Sequence, residues 1–222
     1  MADWDPTTDR RLPVYLMLDC SGSMTGDPIA AIQVGMSVLV QELRDDPYAL
    51  ETVWLSVITF ASTADQAVPL TDLNEVDVPP LEAGGSTALG EALELLEERV
   101  AAEVRKSGGG QKADWKPMVF VFTDGEPTDS WRPAAARLRA ANTVNLIVCG
   151  AGPAVHDGTL RELSETFVHI QDTAPGTLGS FLKWVTASVA AASHAAGTGR
   201  EVVPPADVPG AAPEGEPVTG LG

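Results

Sequence analysis

Basic residues are scarce in this 222-residue chain: 14 Lys and Arg stand against 31 Asp and Glu, for a formal net charge of −17. Nucleic acids and anionic bilayers are recognised through a basic footprint, so the balance argues against both as partners. It favours cations, which a negative field concentrates. Cysteine is as sparse: Cys20 and Cys149 are the only two, too few for a disulfide framework and without the CxxC spacing of a zinc site. The three histidines are scattered along the chain and form no imidazole cluster in sequence. Long apolar runs are missing too. The most apolar late segment, "LGSFLKWVTASVAAASHAA", carries Lys183 and His194 and reads as an amphipathic helix, not a membrane span. The start, "MADWDPTTDRR", has no apolar core of a secretory signal, which makes the cytoplasm the expected location.

What is present is a globular pattern. At 44% hydrophobic, a chain of this length can bury one full core. Strand-like and helix-like runs alternate from about Leu12 to His194. "LPVYLML", "TVWLSVITF", "PMVFVF", "VNLIVCG" and "FVHI" read as strands, and "QAVPL" as another that Pro69 marks as an edge. Helices are expected from Asp27-Pro28, as an N-cap followed by proline at the first helical position, then after "GGST", around Pro133–Ala141, over "GTLRELSE", and across the last apolar segment. Ile32, Met36, Leu39, Val40 and Leu43 fall on one helical face. "SGGGQKADWK" reads as a flexible loop. The organisation is then an N-terminal arm (1–11), one domain (12–195) and a Gly/Pro-rich tail (196–222) without periodicity, expected to be disordered. Strands apolar on both faces and alternating with helices mean an α/β fold with a mostly parallel sheet covered on each side. Such sheets bind ligands beyond the carboxyl ends of their strands.

Two motifs sit at those ends. After the first strand comes "DCSGSM", with Asp19, Ser21 and Ser23 at alternate positions. Polar groups at the mouth of a buried strand are costly unless something binds them. The strand "PMVFVF" ends in "TDGEPTD", which offers Asp124, and "GGSTALGEAL" offers Thr87. Carboxylates and hydroxyls without imidazole or thiolate form an oxygen-only site for a hard cation such as Mg2+, with Mn2+ and Ca2+ as alternatives. Asp19, Ser21, Ser23, Thr87 and Asp124 leave room for a further group, water or an acidic side chain of a partner. A lone Ser or Asp after a strand is more often a cap or turn residue, the role expected for Asp27 and Ser86. Trp131 and Glu126, flanking the third loop, are read either as an interaction rim or as partly buried residues.

The D-x-S-G-S sequence, the Gly-Gly-Ser-Thr loop and the strand-terminal Thr-Asp-Gly together resemble the metal-ion-dependent adhesion site of von Willebrand factor A domains. More narrowly, "RRLPVYLMLDCSGSM", "DPYALETVWLSVITF", "GSTALGEAL" and "DWKPMVFVFTDGEPTD" resemble the bacterial TerY-like tellurium-resistance proteins. The resemblance implies a doubly wound, Rossmann-like sheet with one short antiparallel edge strand, helices on both faces and strand order 3-2-1-4-5-6. It implies the same five metal residues, and a function as an adaptor that presents the metal to an acidic side chain of another protein. For TerY-like proteins it also implies a stress-response setting with a protein kinase and a metal-dependent phosphatase. Some longer relatives end in a cysteine-rich zinc module, which this chain lacks. In that strand order one strand separates Cys20 from Cys149, about 10 Å, too far for a disulfide.

Two rival functions remain. One is a phosphorylation-controlled scaffold for a partner kinase or phosphatase. The other is a metal-dependent phosphatase using Asp19 as nucleophile. The D-x-D pattern of haloacid-dehalogenase-like phosphatases has Ser21 at its second position here, so the general acid is absent. "GGGQKADWK" lacks the GK[ST] of a phosphate-binding loop, and "CSGSM" is not a G-x-S-x-G elbow. The expectation is a non-enzymatic module.

Overall fold

The computed structural model describes residues 10–108 and 112–198. The expected tail, from residue 199 on, most of the arm and the centre of the glycine loop lie outside the described residues. Strands β1 (Leu12–Asp19), β2 (Val53–Phe60), β3 (Ala64–Asp72), β4 (Met118–Thr123), β5 (Asn145–Ala151) and β6 (Thr166–Ile170) form one sheet in the order β3-β2-β1-β4-β5-β6. Every pairing is parallel except β2 with β3. Helices α1 (Asp27–Asp45), α2 (Pro47–Thr52), α3 (Leu89–Glu103), α4 (Arg132–Ala141), α5 (Asp157–Leu163) and α6 (Pro175–Thr198) cover both faces.

The continuous apolar run of β1 is explained by its central place. Its alternate residues Leu12, Val14, Leu16 and Leu18 enter a core with α1 and α6, while Tyr15 and Met17 enter a second core with α3, α4 and α5. All eight residues of β1 are buried, and each large apolar side chain so buried contributes about 1.5–3 kcal/mol. The anticipated face of α1, Ile32 to Leu43, is buried as a set. On α6, Phe181 stacks with Trp184 at 6.0 Å and meets Phe122 of β4 at 5.7 Å, fastening the last helix to the sheet.

Several local readings shift. The N-cap of α1 is Gly26, at φ 90, and Asp27 is the first helical residue, with no side-chain cap bond. The six-residue α2 was not anticipated; Asp46 caps it by accepting from the Tyr48 and Ala49 N–H groups. The edge strand β3 is antiparallel as expected but runs nine residues. Its register against β2 slips twice, and Pro69 falls in the bulged stretch between Val68 and Thr71. Arg10 and Arg11 are not loose. Arg10 lies 3.6 Å over the Trp115 ring, and Arg11 forms a 2.6 Å ion pair with buried Asp114.

Because β1 leads to β2 on one side and lies beside β4 on the other, the order in which strands are added reverses between β1 and β4 while the two strands stay parallel. Their carboxyl ends therefore open a crevice, the position where ligands bind in open α/β sheets.

Candidate metal centre

Three loops converge on that crevice. The first leaves β1 at Asp19 and closes into a 3₁₀ turn, Gly22–Met24, whose Met24 side chain is buried and anchors the turn. Asp19 is 0% exposed. Its Oδ1 accepts from the Ser21 N–H at 2.8 Å and its Oδ2 from Thr123 Oγ1 at 2.6 Å. Ser21 Oγ and Ser23 Oγ lie 3.1 Å apart, and Ser23 Oγ donates to Asp124 Oδ1 at 2.6 Å. One continuous chain of oxygens thus runs from Ser21 through Ser23 to Asp124.

The second loop is docked on the first by backbone bonds, Gly84 N–H to Cys20 O at 2.8 Å and Gly22 N–H to Gly85 O at 3.0 Å. This approach needs Gly85. Its φ is +83, and a Cβ there would lie 2.3 Å from Ser62 Oγ. Ser86 N–H donates to Ser62 Oγ, and Ser86 does not cap α3. The loop delivers Thr87 at the foot of α3. A Cβ on Gly125 would stand 3.8 Å from Thr87 Oγ1 and 4.0 Å from Ser23 Oγ, so both hydroxyls border the same small space beside Asp124. All five residues expected from the sequence therefore border one crevice.

The third loop, from Asp124 to Trp131, is stapled to its neighbours. Thr128 N–H and Oγ1 donate to Thr87 O at 2.9 and 3.2 Å. The Asp129 carboxylate accepts from the Gly90 and Glu91 N–H groups at 2.9 and 3.0 Å. It caps α3 from another loop, because Ala88 at the local N-cap has no side chain to do so. Glu126 accepts from His156 and Thr159. Burial opposes its charge, but those bonds outweigh it and hold the carboxyl below its ordinary range. Trp131 is 3% exposed, so it belongs to the core and not to a rim. Thr123, Thr128 and Asp129 were not picked out from the sequence, and Glu126 was read only as a rim or partly buried residue, not as a tie to α5. Thr123 had a usable signal, since it ends the strand beside β1; the others act through tertiary contacts with no local signature.

Burial pushes both Asp19 and Asp124 up from the ordinary carboxylate range; hydrogen bonds from Ser21 and Thr123 oppose this at Asp19, and the Asp124 charge adds to it. Among the described residues, none of the ion pairs includes either carboxylate. Two desolvated carboxylates beside three hydroxyls, with no cationic side chain paired to them, fit a hard divalent cation. The described residues contain no group of three or more His, Cys, Asp and Glu that could hold a metal ion.

The family model for the von Willebrand factor type A domain matches residues 14–177. The chain belongs to that family. Among curated relatives of this VWA chain, matrilin-1 of Homo sapiens is 28% identical over 163 residues, covering 70% of this chain and 31% of its own length. The uncharacterized protein sll0103 of Synechocystis sp. is 31% identical over 125 residues, covering 53% of this chain and 26% of its own length. The chain thus spans under a third of the length of these relatives. Among solved structures, the von Willebrand factor type A protein from Catenulispora acidiphila superposes with TM-score 0.63 at 19% identity, covering 83% of this chain and 44% of that one. Proximal thread matrix protein 1 from the mussel byssus, solved with a zinc-occupied metal-ion-dependent adhesion site, gives TM-score 0.59 at 18% identity, covering 82% and 48%. At such identities the structural likeness establishes the VWA fold alone. No helix among the described residues is long and apolar enough to cross a membrane.

Proposed function

We propose that the crevice holds a divalent cation, Mg2+ first, through Asp19, Ser21, Ser23, Thr87 and Asp124, and that the chain works as a metal-dependent protein-interaction module. The observation that carries this reading is the pair of buried carboxylates, each accepting from a hydroxyl and neither in an ion pair among the described residues. The cation supplies positive charge at the mouth of an acidic protein. Asp19, whose two oxygens are already engaged by the Ser21 N–H and Thr123, organises the floor. Ser21, Ser23, Thr87 and Asp124 present oxygens above it. The partner proposed is a protein offering an acidic side chain to the metal, with basic residues around it to suit the surrounding negative field.

A non-enzymatic role is favoured over the phosphatase reading. Asp19 is fully buried with both oxygens accepting hydrogen bonds, so attack on a phosphorus atom would require dismantling its own supports. The setting we propose, from the resemblance of the motif segments to TerY-like proteins, is a cytoplasmic bacterial stress or tellurium-resistance system with a kinase and a metal-dependent phosphatase as neighbours.

The test is calorimetric titration of Mg2+, Mn2+, Ca2+ and Zn2+ into wild type and Asp124→Ala, with parallel thermal melts. Binding at one site stabilises the fold by about 2.7 kcal/mol at a hundredfold excess over Kd, so the wild-type Tm should rise with metal and that of Asp124→Ala should not. Equal binding by the two proteins, or none by wild type, refutes the reading.

A further inference from the structure

Asp124 belongs to the metal crevice, yet two residues further on the same loop is gripped from outside it. Glu126 Oε1 accepts from the His156 N–H at 2.7 Å and lies 3.0 Å from His156 Nδ1, while Oε2 accepts from Thr159 Oγ1 at 2.7 Å. His156 is the N-cap residue of α5 and has no side-chain cap bond of its own. Glu126 therefore reaches across from one loop to occupy the start of another element. Asp124 is then fixed from both directions. Behind it, Thr123 is the last residue of β4, in register with Gly150 of β5. Ahead of it, Glu126 is tied to α5. Between Asp124 and Glu126 only Gly125 intervenes, a residue with no side chain to restrain the backbone.

The geometry points to Glu126 as a positioning residue for the metal site: its carboxylate, held by His156 and Thr159, keeps Asp124 where its oxygen meets Ser23. This rests on the reading of Asp19, Ser21, Ser23, Thr87 and Asp124 as a divalent-cation site. Glu126 is engaged by α5 and does not enter the oxygen chain of the crevice, so it acts through Asp124 and not as a ligand. Groups that orient ligands from behind set metal affinity by about 10- to 100-fold when removed.

Three variants of the full chain separate this tether from a charge effect. Glu126→Ala removes both contacts. Glu126→Gln removes the charge but keeps an oxygen for the His156 N–H and an amide that donates to Thr159 Oγ1. Thr159→Val cuts one strand of the tether without touching the loop or its charge. The readouts are the Mn2+ Kd by calorimetry, amide hydrogen exchange of residues 124–128 in the metal-free chain, and Tm. The expected result is a Kd weakened about 10-fold in Glu126→Ala, a smaller loss in Thr159→Val, near-wild-type affinity in Glu126→Gln, and faster exchange wherever affinity falls. Glu126→Gln as weak as Glu126→Ala beside an unaffected Thr159→Val would mean a charge effect and overturn the inference. So would variants that melt earlier yet bind Mn2+ as tightly as wild type, since Glu126 would then serve α5 alone. Failure of wild type itself to bind Mn2+ would instead sink the metal reading.

Discussion

Replacing Gly90 with alanine sets two effects against each other. Gly90 is the second residue of α3, and on helix propensity alone Gly→Ala gains about 1 kcal/mol. Its surroundings reverse the sign. A Cβ at residue 90 would stand 2.9 Å from Asp129 Oδ2, 2.9 Å from Trp131 Cα and 3.0 Å from Trp131 N. Two of these atoms are backbone, and Trp131 is buried, so they have little room to withdraw. Forcing a methyl into a packed contact costs about 1–3 kcal/mol. Pushing the Asp129 carboxylate off the Gly90 and Glu91 N–H groups forfeits a helix cap, about 1 kcal/mol more. With the propensity gain subtracted, Gly90→Ala is expected to lose about 1–3 kcal/mol, at about 2–4 °C of Tm per kcal/mol for a domain of this size. Urea unfolding of both proteins tests it, read as a lower midpoint at unchanged slope. A variant as stable as wild type, or more so, would refute the reasoning and return Gly90 to the ordinary helix-propensity rule.

Two further outcomes follow from the packing. Burial works against the Asp46 charge, but hydrogen bonds from His194 and from the Ala49 and Tyr48 N–H groups prevail and hold its carboxyl below the ordinary value. A depressed folded pKa means stability that is present above the unfolded carboxylate value of about 3.9 and lost as pH falls through the folded one. Asp46→Ala should therefore cost about 1 kcal/mol near neutrality, with the gap to wild type closing in acid; a gap that widens below that value would contradict it. Burial, with the Asp19 charge adding to it, pushes the Cys20 thiol up to about 12, and burial also raises Cys149. Neither should react with a thiol reagent in the native chain at about pH 8, and both should react once it is unfolded; rapid native labelling would show that one of them is reachable.

The sheet could be read largely from the chain because its central strands are buried on both faces. An unbroken apolar run such as Leu12–Leu18 points to a strand covered on both faces, and the alternation of such runs with helical stripes points to a parallel α/β sheet; the strand order came from the family resemblance. The residues proposed to hold the cation drew attention for a related reason: Asp19, Ser21, Ser23 and Asp124 lie at or just beyond strand ends, where polar groups demand an explanation. What escaped notice depends on distant partners. Asp129 caps a helix it does not begin; Glu126 was noticed, but its tie to α5 has no local signature that separates it from a rim role. The α2 helix escaped for another reason. Its Asp46-Pro47 start carries the cap and proline of a helix opening, but six residues are too few to show a periodic face.

The outer margin of the sheet at β3 has a bearing on how the protein behaves in a crowd. A strand paired on one side only is a template on which a second chain can crystallise its own backbone, and long flat margins of this kind seed fibres. Here the two slips in register bend the margin, and Pro69 removes a donor from the bulged stretch. An incoming strand would meet an interrupted ladder and could dock over only a few residues before losing step. Copies of this chain at high concentration are thereby discouraged from joining sheet to sheet along β3, an edge separated from the β1–β4 crevice by β2.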